Sequence, residues 1–271
     1  MTAVQRRWRL DLAYRGQDFH GFAAQPGTST VAGALAGALA TVLRLDEPPR
    51  LVCAGRTDAG VHALGQVVHV DLVEPLFADD RGAVEARLTR SCNRLLAPSI
   101  VVTSCQPAPD GFDARHSACS RSYRYLVFDA LVGSPLLEGI AWRTPGPLDV
   151  RAMTQAAYAV LGEHDFRAFC RRPSELGPDE PIIRRVLDVA VGVVDDALGV
   201  ASEGGTLIRI DVTAQSFCHQ MVRSIVAVLV EAGRHALSAA DVTEHLRSGE
   251  RSGLPAPAPP EGLCLMSVAY G

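Results

Sequence analysis

The first apolar pattern in the chain alternates with a period of two over residues 7–15. Its apolar positions are Trp8, Leu10, Leu12 and Tyr14. Because successive side chains of a strand point to opposite faces of a sheet, this pattern predicts a half-buried strand. A helical period follows from Thr30, a residue suited to an N-cap, with apolar residues recurring along one side as far as Val42.

Four further elements complete the first part of the chain. The patterns predict a buried strand at 51–54, a strand at 66–72, a helix at 80–96 and a strand at 100–104. The resulting order, strand-helix-strand-strand-helix-strand, is that of a ferredoxin-like split βαβ unit. Helices then cover one face of the sheet.

The segment 107–111, rich in Pro and Gly, indicates a boundary between an N-terminal domain, 1–108, and a C-terminal domain, 109–271. Beyond it the patterns predict strands at 120–128, 182–194, 206–215 and 264–270, and helices at 149–161 and 218–233. The fold class is therefore α+β. We expect two ferredoxin-like or RRM-like halves with largely antiparallel sheets, joined around a central cleft.

Length and composition are those of an ordinary globular protein. The chain has 271 residues and is 48% hydrophobic, enough for a substantial core. No apolar run approaches the roughly 20 residues of a membrane span, and the start lacks the apolar region of a signal peptide, so we expect a cytoplasmic protein. Seven cysteines without a Cys-x-x-Cys pair favour reduced thiols over a disulfide framework or a zinc site.

The charge balance has two sides. A net charge of −4 argues mildly against a nucleic-acid partner, which attracts basic surfaces. All 26 basic residues are nevertheless Arg. Coding bias toward GC-rich codons accounts for this, and so does a use of forked guanidinium groups on phosphates and bases.

The stretch AGRTDAGVHA, residues 54–63, carries the candidate chemistry. It follows a predicted strand, so Asp58 is placed at a strand end. If the strand period continues, Arg56 points the same way and keeps that carboxylate ionised. Gly55 and Gly60 allow close backbone approach and positive φ. The alternative is an Arg-Asp pair that closes a structural turn.

The seven residues Arg56–His62 resemble the active-site motif of the tRNA pseudouridine synthase A family, and the similarity extends over essentially the whole chain. The resemblance implies an isomerase with the pseudouridine synthase fold, with Asp58 and Arg56 as catalytic residues and His62 in contact with the substrate. It also implies the tRNA anticodon stem-loop as substrate, at uridines 38, 39 and 40, and a homodimer whose two subunits touch one tRNA.

Three other segments resemble family motifs. In FDARHSACSRSYRY, residues 112–125, Tyr123 matches the Tyr that packs against the target base, and a strand would set Arg121 and Tyr125 on its face as a stacking surface. Taken without the resemblance, such a Tyr pair is better explained by ordinary sheet packing. In residues 217–233, Arg223 matches the Arg that pairs with the catalytic Asp.

In EGLCLM, residues 261–266, Leu263 matches the apolar contact of the target nucleotide; taken alone, Arg223 would be a solvated helix residue and Leu263 an ordinary core residue. Further basic residues predict an RNA footprint or, equally, a solvated loop of mixed charge: Arg115, Arg124, Arg167, Arg171, Arg172, Arg184 and Arg185. The chain departs from the family pattern in its first loop, at Arg15, Phe22, Ala24 and Ala32.

Pseudouridine formation breaks the N1–C1′ bond of uridine and rejoins the base through C5, so that it requires no metal or cofactor. One carboxylate suffices: Asp58 attacks C1′, adds to C6, or removes the C2′ proton, and the residues leave these three routes open. A paired uridine must first be flipped out of its stem, at a cost of a few kcal/mol.

Two other classes of function are compatible with parts of the chain. Asp58, His62, His69 and Asp71 are candidate ligands of a metal-dependent hydrolase, although they span a turn rather than one helix face. A non-catalytic RNA-binding module on the same platform is the second. Such a binder has no need of Asp58, and the joint presence of Tyr123, Arg223 and Leu263 favours the enzyme.

Overall fold

The computed structural model describes residues 4–74, 81–177, 180–195 and 205–271. In chain order the elements are β1 (Val4–Tyr14), α1 (Val31–Leu43), β2 (Leu51–Cys53), β3 (His62–Glu74), α2 (Arg81–Leu96), β4 (Ile100–Pro107), β5 (Ala118–Asp129), β6 (Trp142–Thr144), α3 (Val150–Tyr158), β7 (Gly162–Asp165), β8 (Ile183–Val193), β9 (Thr206–Ala214), α4 (Met221–Gly233), α5 (Ala239–Ser248) and β10 (Leu263–Tyr270). The residues form two compact units, Met1–Cys119 with Leu265–Gly271, and Ser120–Cys264. Both mix helices with mostly antiparallel strands, so the α+β class is confirmed.

The first unit has the strand-helix-strand-strand-helix-strand order that the sequence predicts. Its strands follow the order β4-β1-β3, and β3 pairs in addition with β2 and with β10. The alternating apolar positions of β1 are all buried, from Leu12 with no exposed surface to Tyr14 at 5%. Helix α1 begins where predicted, because the Thr30 hydroxyl accepts a hydrogen bond from the Gly33 amide at 3.2 Å.

The second unit is built on the strand order β5-β9-β8-β7, with β6 parallel to β5. Its central helix is α4, which the sequence predicts as amphipathic. Eleven of its thirteen residues are buried, and the two that are not are Arg223 and Glu231. A helix that is apolar almost all round is covered on several sides. Three short elements, β6, β7 and α5, are absent from the sequence prediction.

The cysteines differ in part from the expectation of reduced thiols. Cys170 and Cys218 are joined as a disulfide, with their Cα atoms 5.9 Å apart. They lie 48 residues apart in sequence, so no local spacing announces the pair. The remaining five cysteines are free thiols. Within the described ranges, no helix has the length and apolar character needed to cross a membrane.

His69 joins β3 to the segment that follows β4. Its Nδ1 accepts a hydrogen bond from the Ala114 amide at 2.9 Å, and the side chain is 4% exposed. Burial, and next the positive charge of Arg7, lower the pKa of His69 below its ordinary value, against the opposing effect of Asp113 and Asp71. Protonation at Nδ1 would remove this acceptor.

We expect His69 to make stability depend on pH. Because its pKa is lower in the folded state than in the unfolded one, its contribution is fully present above about pH 6.5 and decreases as the pH falls below that value. His69→Asn retains an acceptor near the position of Nδ1 without the titration. The free energy of unfolding of the wild type should therefore fall relative to His69→Asn between pH 7 and pH 5. Parallel curves for the two proteins would contradict this role.

Candidate active site

The motif 54–63 lies between β2 and β3 and is rooted in the core of the first unit. The Ala54 amide donates to the Val67 carbonyl at 2.8 Å, and Ala54 packs in a buried cluster with Val67, Phe112 and Ala114. Phe112 and Ala114, at the start of the motif 112–125, thus pack against the motif 54–63. A turn closed by the bond from the Val61 amide to the Asp58 carbonyl, 3.2 Å, then leads into β3.

The loop after β1 holds the Asp58 loop through three hydrogen bonds. The Phe22 amide donates to the Thr57 carbonyl at 3.1 Å, and the Gly60 amide donates to the Phe19 carbonyl at 3.4 Å. The Gly16 amide donates to Nδ1 of His62 at 3.1 Å. The backbone on both sides of Asp58 is therefore fixed by a neighbouring segment.

This contact depends on two glycines that the sequence analysis did not single out. A Cβ on Gly16 would collide with the backbone carbonyl of Val61. A Cβ on Gly21, where φ is +94°, would lie 3.0 Å from the Thr57 carbonyl oxygen. Of the two glycines that were singled out, Gly60 has the expected positive φ of 81°, whereas Gly55 does not adopt one.

Buried polar groups support the loop from below. The hydroxyls of Tyr14 and Thr57 are 2.8 Å apart, and Nε2 of Gln66 donates to the Gly55 carbonyl at 2.8 Å and to the Tyr14 hydroxyl at 3.3 Å. Thr57 is 7% exposed, while Asp58 next to it is half-buried. The Gly55 carbonyl and the Thr57 hydroxyl are thus satisfied within the protein, which favours one conformation of the loop.

Arg56 does not take the place that the strand period assigns to it. Strand β2 ends at Cys53, so the period of two is not carried through the motif. The Arg56 side chain is exposed. The strand geometry from which an Arg56–Asp58 pair was expected is therefore absent, and the pairing itself stays a prediction.

His62 and His69 are both buried and both use Nδ1 as an acceptor for a backbone amide. In His62 the proton then resides on Nε2 in the neutral ring. Contact of His62 with a substrate stays a prediction. Among the described residues no group of three or more His, Cys, Asp or Glu side chains is placed to hold a metal ion.

Tyr123 and Tyr125 lie on β5 in the second unit but differ in their surroundings. The Tyr123 ring, 8% exposed, meets the Phe217 ring edge to face, with centroids 5.1 Å apart. Tyr125 is fully buried; its hydroxyl donates to the Pro259 carbonyl at 2.7 Å, and burial, followed by Glu261, raises its pKa well above the usual range. Tyr125 is therefore a core residue and not part of a stacking surface.

Arg121, at the start of the same strand, donates from its guanidinium to the Gln215 carbonyl at 2.8 Å and is half-buried. Arg124 is engaged by Asp211 through two hydrogen bonds of 2.7 and 3.2 Å, which raise its pKa. Arg124 is thus already paired, unlike the RNA-facing cation that the sequence suggests.

Arg223, in the first turn of α4, is joined to the chain just before β10. Its Nε donates to the Ala258 carbonyl at 2.6 Å, and the Ala258 amide donates back to the Arg223 carbonyl at 3.0 Å. Tyr125 holds the next residue, Pro259, as described above. A Cβ on Gly262 would lie 2.5 Å from the Tyr125 ring, so this close contact also requires Gly.

Leu263 follows this tightly held segment as the first residue of β10, and it is 6% exposed. The second unit therefore brings together the segments that carry Tyr123, Arg223 and Leu263, while the first unit carries Asp58. The departures from the family pattern divide into two kinds. Phe22 and Ala32 are buried and bonded to each other through their backbones, at 2.9 Å, whereas Arg15 and Ala24 are exposed.

Comparison with known proteins places this geometry in a family. A family model described as tRNA pseudouridine synthase matches residues 156–271. The tRNA pseudouridine synthase A of Frankia casuarinae is 40% identical over 273 residues, which cover 100% of this chain and 91% of that protein. The protein of the same name from Rhodopseudomonas palustris strain CGA009 is 41% identical over 266 residues, 97% of this chain and 98% of its own length.

A chain from the solved Cbf5-Nop10-Gar1 complex covers 94% of this chain and 50% of its own length at 14% identity, with a TM-score of 0.34 that is too low to carry an argument. The full-length relatives, together with the α+β architecture, define an isomerase with the pseudouridine synthase fold. The chain belongs to the tRNA pseudouridine synthase A family. The resemblance found in the sequence motifs is thereby confirmed.

Proposed function

We propose that the protein converts uridine to pseudouridine at positions 38, 39 and 40 in the anticodon stem-loop of tRNA. The observation that carries the proposal is the placement of Asp58. Its side chain is half-buried on a loop whose backbone is bonded on both sides of it, in a chain related over its full length to named tRNA pseudouridine synthases A. A carboxylate so fixed is preorganised to meet one substrate atom.

In this reaction the N1–C1′ bond of the target uridine breaks and a C5–C1′ bond forms, and the proton lost from C5 is balanced by the one gained at N1. Asp58 acts as nucleophile or base on the flipped-out uridine. The three first steps that use it, at C1′, C6 or the C2′ proton, all begin from the ionised carboxylate. We propose that Arg223 pairs with it, since Arg223 is one of two residues of α4 that are not buried.

The substrate-binding residues in this proposal are Tyr123, Leu263, Arg121 and His62. Tyr123 would cover the face of the flipped base, held upright by the Phe217 ring against its edge. Leu263 would exclude water from the other side, and a drier site strengthens the pairing of charges. Extrusion of a paired uridine costs a few kcal/mol, which stacking on Tyr123 offsets in part.

We further propose that the protein works in the cytoplasm as a homodimer, with one tRNA in contact with both subunits. Sedimentation of the free protein and of its tRNA complex tests the assembly. A complex that sediments as one protein chain bound to one tRNA would contradict it.

Incubation of the purified protein with unmodified tRNA transcripts, followed by chemical mapping of pseudouridine, tests the reaction and its position. We expect modification at uridines 38, 39 and 40. Transcripts with cytidine at these three positions serve as the control and should remain unmodified. Pseudouridine at other positions only would overturn the proposed site, and its absence from every transcript would overturn the proposed activity.

Replacement of Tyr123 separates the ring from its hydroxyl. Tyr123→Phe retains the stacking surface and the edge contact with Phe217, so we expect its single-turnover rate to stay within about threefold of the wild type, whereas Tyr123→Ala loses base stacking of about 1–3 kcal/mol. Equal losses for the two variants would show that the hydroxyl, and not the ring, carries the function.

A further inference from the structure

A cavity of about 580 Å³ lies within the second unit, and neither Tyr123 nor Leu263 is among its lining residues. The residues that line it include Arg167, Arg171, Arg172, Gln220, Glu250 and Arg251. Four guanidinium groups thus face one carboxylate among the charged lining residues.

Three of these arginines are held in place largely by backbone carbonyls. Arg251 donates to the Ala168 carbonyl at 3.0 Å, Arg172 to the Glu180 carbonyl at 2.7 Å, and Arg167 to the Ser248 carbonyl at 2.8 Å. A carbonyl orients a guanidinium without cancelling its charge. Arg167 alone among the three has an acidic partner, at 3.2 Å. Among the described contacts, a carboxylate thus balances part of the charge of Arg167, whereas the carbonyls hold Arg172 and Arg251 in place without neutralising them.

Arg167 also requires a glycine opposite it. A Cβ on Gly249, which ends α5 with φ of +69°, would collide with the Arg167 guanidinium. The cavity wall is thus shaped to admit this side chain.

The beginning of α4 adds to the same potential. Gln220 is the N-cap of this helix of thirteen residues, in the left-handed region with φ of 65°, and its side chain makes no capping hydrogen bond. A helix N-terminus carries a partial positive charge and favours anions. Two links hold this terminus beside the segment that carries Arg171 and Arg172. They are the Cys170–Cys218 disulfide and the hydrogen bond from the Arg171 amide to the His219 carbonyl, 3.0 Å.

We propose that this cavity binds a backbone phosphate of the tRNA. The inference rests on the proposed function for its ligand. Forked guanidinium donors match the oxygens of a phosphate, and a cavity lined by cations held on carbonyls binds an anion without prior rearrangement. The contact positions the RNA and reads no sequence.

Arg171→Ala tests the proposal because its exposed side chain makes no hydrogen bond within the described residues. Each phosphate contact contributes about 0.9 to the slope of log Kd against log salt concentration. We expect the variant to lower the slope for tRNA by about one, and to weaken binding roughly five- to tenfold at 0.1 M salt. Arg151→Ala, exposed on α3 outside the cavity, is the control and should change neither quantity.

An unchanged slope and Kd in Arg171→Ala would overturn the proposal, and so would equal changes in Arg151→Ala. Thermal melting with inorganic phosphate distinguishes a free anion from the RNA backbone. If phosphate stabilises the wild type but not Arg171→Ala while tRNA binding is the same in both, the cavity serves free phosphate and the RNA proposal is wrong. A wild type that forms pseudouridine with an unchanged Arg171→Ala slope refutes this site alone, whereas a wild type that forms none refutes the proposed function.

Discussion

Asp58→Asn is expected to lower the single-turnover rate of pseudouridine formation by more than about 10³-fold while the protein folds and binds tRNA as before. The amide occupies the same volume, but it is a poor nucleophile and a poor base. The bonds described above that hold the loop use backbone groups of Thr57, Asp58 and Gly60 and the His62 ring. The melting temperature should therefore remain near that of the wild type.

Asp46→Asn is the matched control, because Asp46 is an exposed carboxylate on the loop that precedes β2. It should leave rate, binding and melting temperature unchanged. A large drop in the melting temperature of Asp58→Asn would favour the alternative in which Asp58 closes a structural turn. Retention of more than about a tenth of the rate would show that the carboxylate is not the reacting group.

Gly16→Ala is expected to have the largest effect on stability. Its Cβ would collide with the backbone carbonyl of Val61, which no side-chain rotation can relieve, and the displacement would break the bond from the Gly16 amide to His62. We expect the free energy of unfolding to fall by roughly 2–4 kcal/mol, as for other changes that force two backbones apart. Because the displaced residues adjoin Asp58, the rate should fall as well.

Gly37→Ala provides the comparison for Gly16→Ala. Gly37 lies within α1, and a Cβ there meets no atom within 4 Å. Alanine is the better helix former by about 0.8–1 kcal/mol, so this variant should be as stable as the wild type or more so, with full activity. Urea titration of the two variants measures the difference. If Gly16→Ala unfolds at the wild-type urea concentration, the loop contact is not the support that we describe.

Local sequence patterns predict the elements of the first unit because their causes are local. The alternation in β1 and the Thr30 cap of α1 each depend on residues within a few positions of one another. Helix α4 shows where this reasoning stops. Its period identifies a buried side that includes Met221 and Ile225, but it takes the packing of the whole second unit to bury eleven of its residues.

The supports of the candidate site could not be found from the sequence, since each has partners far apart in the chain. Position 16 must be Gly because a Cβ would collide with the Val61 backbone. Position 262 must be Gly because a Cβ would collide with the Tyr125 ring. The motif itself identifies Asp58 as the candidate residue. The expected contact with Arg56, however, assumed a strand that continues through the motif, and β2 ends at Cys53. A glycine in the sequence carries no signal of the backbone that approaches it in the fold.

The arginines show the same limit. The sequence predicts a broad basic footprint, and the structure separates its members by their partners. Arg124 is paired with Asp211, whereas Arg167, Arg171 and Arg172 line one cavity that also contains Arg251, which no sequence cluster includes. Spacing along the chain does not determine which cations remain available to a ligand.

The most direct test of the central claim, that the target uridine meets Asp58, is a zero-length photocrosslink from tRNA with 4-thiouridine at position 39. The account predicts crosslinks within the motif 54–63 and at Tyr123, both lost when position 39 is replaced by an unmodified uridine and diminished by competing tRNA. Crosslinks confined to other parts of the chain, from a complex that remains active, would contradict it.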